Sequence, residues 1–241
     1  MSEGLYFRQL LSGRDFAQTD RVAAGMVNFV YLIGDRATRE CVVVDPAWDV
    51  RGILDVVDAD DMKLVGALGT HYHPDHVGGS MFGFTVEGME TLLELRPVPL
   101  HVNDHEGDGI KVVTGLEESD LVRHQSGDTL DVGGVKIQFI HTPGHTPGSQ
   151  CFLVDGRLVS GDTLFIDGCG RVDLPGANPA DMYESLTQKL AKLPDDTVLY
   201  PGHDYGHIPS GSLGDVKRDN AYMNIPSLER WMAMMGPPVG F

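Results

Sequence analysis

Cysteine is scarce in this chain of 241 residues: Cys41, Cys151 and Cys169 are widely spaced and form no C-x-x-C pair. An odd, scattered set of three argues against a disulfide framework and reads as small buried apolar side chains. Positive charge is scarce too, with 18 Lys and Arg against 35 Asp and Glu, a formal charge of -17. Such a surface repels phosphate backbones and anionic lipid, so neither nucleic acid nor a membrane is expected as a partner. No apolar run approaches the roughly 18 residues that a membrane span needs. Met1 to Arg8 lacks a basic segment followed by an apolar one, so a signal peptide is not visible and a cytoplasmic location is expected. With 41% hydrophobic and 22% charged residues, the composition is that of a folded globular protein and excludes wholesale disorder.

What is present is a mixed pattern of strands and helices. Met26 to Ile33, Cys41 to Val44 and Leu64 to Leu68 read as buried strands, with helical spacing at Val50, Ile53, Leu54 and Val57 between the last two. A similar order follows from Leu130. Strands are expected at Val135 to Ile140, Cys151 to Val154 and Arg157 to Ser160, with Asp155-Gly156 as a hairpin turn. A helix from Pro179 to Leu193, capped by Asn178, then leads to a strand at Thr197 to Tyr200. Ser80 to Leu100 reads as a loop and short helix over a polar cluster. The segment 208–241 reads as a short helical tail, anchored by Trp231, on a catalytic domain of residues 1–207.

The polar cluster is Thr70-His71-Tyr72-His73-Pro74-Asp75-His76-Val77-Gly78-Gly79, directly after a buried strand. Three imidazoles and a carboxylate on one turn are donors that zinc, iron and manganese accept, and no thiolate is among them to suggest a closed structural zinc site. The same pattern of buried strand, Gly or Pro turn and metal-type side chain recurs at His145, Asp162 and His203. In a layered α/β fold, strand-end loops converge on one edge, where active sites commonly form. Five histidines and two aspartates exceed what one ion needs. Two ions sharing a carboxylate are the economical account, and their chemistry is hydrolysis by a metal-activated water. His101, His105 and His124 lie outside these turns and read as surface or satisfied histidines. His141 reads as support for a neighbouring ligand.

Thr70 to Gly79, TPGHTPGS, SGDTLF, GCGR at Gly168 to Arg171 and PGHDYGH resemble, in order, the motifs of the metallo-β-lactamase-fold superfamily. Within it the chain is most similar to the glyoxalase II (hydroxyacylglutathione hydrolase) group and to the persulfide dioxygenases. The resemblance implies an α/β, four-layer αββα sandwich. It also implies one ion held by His71, His73 and His145, a second by Asp75, His76 and His203, and Asp162 between them. Zinc comes first among the ions, with iron(II) or manganese(II) next.

The resemblance also places Tyr205 and Arg171 against the substrate, and it implies thioester hydrolysis with Asp75 orienting the attacking hydroxide. The substrate would be a small thiol conjugate such as a hydroxyacylglutathione. The alternative is a persulfide dioxygenase holding a single Fe(II) on His71, His145 and Asp162. Lactone and β-lactam hydrolysis rank below both. Glyoxalase II enzymes carry a further helical domain whose basic residues grip glutathione. Lys217 and Arg218 are the candidates to stand in for those residues here. Self-association into a homo-oligomer is left open.

Overall fold

Six strands build a first sheet: β1 (Leu5–Leu11), β2 (Phe29–Asp35), β3 (Glu40–Val44), β4 (Lys63–Leu68) and, after a small hairpin of β5 (Gly79–Met81) and β6 (Phe84–Val86), β7 (Leu100–Asn103) and β8 (Leu121–His124). The second sheet comprises β9 (Thr129–Val132), β10 (Val135–His141), β11 (Gln150–Val154), β12 (Arg157–Gly161), β13 (Val198–Pro201) and β14 (Gly211–Ser212), in the order β14-β13-β12-β11-β10-β9. This computed structural model describes residues 4–81 and 83–237. The last residues of the expected tail, 238–241, lie outside the described residues.

Alternation along each strand makes the layers. In β2, Phe29, Tyr31 and Ile33 face the second sheet, where Ile137, Phe139, Phe152 and Val159 meet them. The intervening Val30 and Leu32 face the other way, onto α2 (Val50–Ala59), which buries Val50, Ile53, Leu54 and Val57. A strand covered on both faces reads as a continuous apolar run, which is why β2 and β3 are obvious in the sequence. Leu158 and Leu199 of the second sheet turn outward onto a third core, which contains Met182, Leu186, Leu213 and Trp231. Three apolar seams between four layers give the αββα sandwich.

The remaining helices are α1 (Arg21–Met26), α3 (Pro74–Val77), α4 (Met89–Leu95), α5 (Gly107–Thr114), α6 (Pro179–Glu184), α7 (Leu213–Asp219) and α8 (Leu228–Met235). In the first sheet an antiparallel pair, β2 and β3, is followed by a helix and a parallel strand, β4. In the second sheet β11, β12, α6 and β13 repeat that order. Asp155 and Gly156 both have positive φ, as the tight hairpin turn between β11 and β12 requires. Trp231 is fully buried and donates its indole N–H to Pro179 O at 2.6 Å, fixing α8 against α6.

Several local expectations differ from the structure. The segment after the polar cluster contains the β5/β6 hairpin as well as α4. The helix beginning at Pro179 changes pitch, passing from α6 into a π turn over Ser185–Lys189 and a 3-10 turn over Leu190–Lys192. There, Thr187 donates its hydroxyl to Tyr183 O, a local bond that competes with a regular helical ladder, and Ser185 donates to Pro143 O in the loop before His145. Cys41 and Cys151 are buried, but Cys169 is only partly so.

Candidate metal centre

The carboxyl ends of β4, β10, β12 and β13 open at the same edge of the sandwich. At the ends of β10, β12 and β13, Gly144, Gly161 and Gly202 have no room for a side chain. A Cβ on Gly202, for example, would collide with Asp162 Oδ1. These turns bring seven side chains together. His71 Nε2 lies 3.1 Å and His145 Nε2 3.0 Å from His73 Nδ1, forming one trio. His76 Nε2 and His203 Nε2 are 3.1 Å apart, and each lies 3.4 Å from Asp75 Oδ2, forming a second. Asp162 stands between them, with Oδ1 3.4 Å from His76 and Oδ2 3.4 Å from His203 and 3.7 Å from His145.

Four of the other ring nitrogens are already committed. His145 Nδ1 donates to Arg171 O at 2.7 Å and His203 Nδ1 to Met26 O at 2.8 Å. His76 Nδ1 donates to Asp45 Oδ2 at 2.9 Å. The Thr70 hydroxyl donates to the same Asp45 oxygen at 2.6 Å, so it accepts from His71 Nδ1 at 2.9 Å. Each of these four imidazoles therefore turns Nε2 to the centre, the orientation that carboxylate and carbonyl partners give to metal-binding histidines.

Burial pushes His71 well below the usual imidazole range and His73 down to about 3. Burial lowers His145 as well. Burial alone would lower His76 too, but Asp75 and Asp162 outweigh it and lift His76 to about 10. His203 is also raised, with Asp162 outweighing burial. Asp162 is held far below the carboxylate range: burial opposes this, but the neighbouring His203 and His76 overcome it.

A metal fits this donor set. His71 and His145 aim lone pairs at His73 Nδ1, which has at most one proton to give. Asp162 Oδ1 is buried without a hydrogen-bond partner. Donors 2.0–2.1 Å from a tetrahedral ion stand about 3.3 Å apart, close to the separations seen in both trios.

Two supporting acids escape a reading of sequence alone. Asp45, at the end of β3, takes Thr70 N at 2.7 Å besides the bonds above. Its only sequence signal is an acid closing the apolar run Cys41 to Val44. Glu106 is fully buried and accepts from Tyr72 N, Thr146 Oγ1 and Gly148 N at 2.6–2.7 Å, tying the loop of His71 and His73 to the loop of His145. Burial pushes its carboxyl up to about 7 against those three donors. Asn28 donates to Asp75 Oδ2 and is itself oriented by the Trp48 indole.

A groove of about 620 Å³ opens above the centre, with His73, Asp75, His145, Asp162 and His203 on its floor. Its walls are largely apolar.

Comparison with known proteins places this arrangement. A family model described as the metallo-beta-lactamase superfamily matches residues 24–203. The chain belongs to that superfamily. BaeB of Bacillus velezensis, a probable polyketide biosynthesis zinc-dependent hydrolase, is 31% identical over 205 residues, 85% of each chain. A hydroxyacylglutathione hydrolase of Aeromonas hydrophila is 37% identical over 180 residues, 74% of this chain and 61% of its own. The human mitochondrial persulfide dioxygenase ETHE1 is 27% identical over 86% of this chain and 76% of its own. The crystal structure of ETHE1 from Myxococcus xanthus superposes with a TM-score of 0.76 at 31% identity, covering 95% of this chain and 89% of that one.

The substrate residues expected from the superfamily motifs divide. Tyr205 lines the groove and stacks on His203, with ring centroids 4.5 Å apart and planes at 6°. Arg171 lines it too, but its Nε and Nη2 each bond Asp173 at 2.9 Å. Lys217 and Arg218 are not among the residues that line it. They occupy the last turn of α7, where Lys217 bonds Leu193 O and Asp195, and Arg218 bonds Asp215 and Asp219. His141 bonds Pro147 O and stacks on His105 instead of supporting His145 directly. His101 and His124 bond each other. No helix of the described residues is long and apolar enough to cross a membrane.

Proposed function

We propose that this superfamily member is a metal-dependent thioester hydrolase. The observation that carries the reading is Asp162: a buried carboxylate with one oxygen unpartnered, facing both trios at once. His71, His73 and His145 would hold one divalent cation and Asp75, His76 and His203 a second, with Asp162 between them and zinc the ion we favour. Bound there, such cations supply Lewis-acid activation of a water and of a carbonyl oxygen. The hydrogen bonds to Nδ1 of His71, His76, His145 and His203 keep the four Nε2 atoms aimed at the centre before any ion arrives. Asp75 lies both in a trio and on the groove floor, where it is placed to accept a hydrogen bond from the attacking water. The groove walls shield the reacting carbonyl from bulk solvent. A thiolate leaves without a strong general acid, which suits a site with none beyond the donor set. The hydroxyacylglutathione hydrolase and zinc-dependent hydrolase relatives support this class of reaction.

The likeness to ETHE1 supports a second reading, a persulfide dioxygenase with a single iron. The test runs both assays on purified chain, hydrolysis of a lactoyl thioester beside oxygen uptake on glutathione persulfide, with bound metal counted. Hydrolysis that stops on chelation and returns with zinc, at close to two ions per chain, is expected. One stoichiometric iron with oxygen uptake and no hydrolysis overturns the proposal.

A further inference from the structure

The two halves of a thioester present different surfaces, and the groove above the centre is mostly apolar. Its walls are Met26, Met81, Phe165, Leu174 and Pro175, with the Tyr72 ring beside them, and Tyr72 donates its hydroxyl to Pro175 O, which holds this wall to the ligand loop. Among the described residues, the one Lys or Arg lining the groove, Arg171, is already doubly bonded to Asp173. Lys217 and Arg218, the nearest thing in the sequence to an anion grip, spend their charge on α7 and on Asp195. Around all of this lies a chain of formal charge -17, which two divalent cations would leave well below zero. A field of that sign lowers the local concentration of anions.

Resting on the thioester reading, we infer that the substrate is a thioester recognised through an apolar acyl chain lying on Met81, Phe165 and Leu174, and that an anionic thiol half such as glutathione adds nothing to recognition. Pockets lined mainly by apolar side chains select by buried area, and each buried methylene contributes about 0.8 kcal/mol, or roughly fourfold in kcat/KM. Among the described residues lining the groove, the two carboxylates of a glutathione moiety find no unpaired Lys or Arg to meet them.

The experiment uses zinc-loaded chain and acetyl, butyryl and hexanoyl esters of N-acetylcysteamine, a neutral thiol, beside hexanoyl-glutathione. Expected is a rise in kcat/KM of about fourfold per methylene, with the glutathione ester no more than about threefold better than its neutral counterpart. Leu174→Ser and Met81→Ser, both at partly exposed positions, should each flatten the rise. Binding of non-hydrolysable S-alkyl-N-acetylcysteamine thioethers, followed by calorimetry, supplies a readout independent of turnover. Affinity that climbs with chain length while no ester is hydrolysed defeats the thioester reading and leaves the groove's preference standing. A flat chain-length series in binding, or a glutathione ester favoured beyond threefold, overturns the inference.

Discussion

Asp45 orients donors of both trios at once, so Asp45→Asn is the most informative single change in the protein. One carboxylate oxygen accepts from the Thr70 hydroxyl and from His76 Nδ1, and through that hydroxyl it also fixes the proton on His71 Nδ1. The other accepts from Thr70 N. The backbone does not confound the test, since Asp45 has φ +54°, a conformation asparagine adopts readily. The replacement amide has two orientations. With its NH2 toward Thr70 Oγ1 and His76, both imidazoles must move a proton to Nε2, the atom that faces the centre, and lose that lone pair. Loss of such orienting partners costs metal sites about 10–100-fold in affinity, or roughly 1.4–2.7 kcal/mol. With its NH2 toward Thr70 N, a fully buried backbone donor is orphaned at about 1–3 kcal/mol, a drop of about 2–4 °C in midpoint per kcal/mol for a chain of this size. Competition with a chromophoric chelator reads the first cost, and thermal unfolding of the metal-free chain reads the second. A variant that keeps both its zinc affinity and its apo midpoint refutes the argument.

Three further outcomes follow from the same geometry. In metal-free chain, His71, His73 and His145 are depressed below 6.5, so their contribution is complete above 6.5 and lost as pH falls, for His73 through about 3, whereas raised His76 contributes below 6.5 and is lost as pH climbs through about 10. The apo midpoint should therefore peak near 6.5, and a midpoint still rising at pH 9 contradicts this. His145→Ala, which removes one donor of the first trio, should cost about one bound ion per chain by elemental analysis, with unchanged metal content ruling out its role as a donor. Trp231→Ala should destabilise by about 3–5 kcal/mol in urea, because it empties a fully buried site and orphans Pro179 O, and a loss under 1 kcal/mol would mean that α8 is not anchored there.

Much of the donor set is legible in the sequence because each member sits in a Gly or Pro turn immediately after an apolar run, at His71, His145, Asp162 and His203 alike. Asp45 and Glu106 are not legible in the same way. Each is one acid among 35, and apart from the His76 ring that bonds Asp45 its partners are backbone N–H groups and hydroxyls, which leave no pattern in a sequence. The fold divides along a similar line. Strands covered on both faces, β2 and β3, stand out as unbroken apolar runs. β1, with buried Tyr6 and Leu10 among half-exposed residues, and β8, where Leu121 and His124 are partly covered, do not. Lys217 and Arg218 were plausible from their charge alone, and only the folded chain reveals that acids of α7 and of the neighbouring turn already occupy them.

Both trios straddle the sandwich in the same proportion. His71 and His73 come from the first sheet's loops and His145 from the second's, while Asp75 and His76 come from the first and His203 from the second. Neither leaf alone completes a trio. A slip of one leaf against the other would open both trios together, so a cation held in either would act as a rivet through the seam, and the first to arrive would steady the gap that a second must fill.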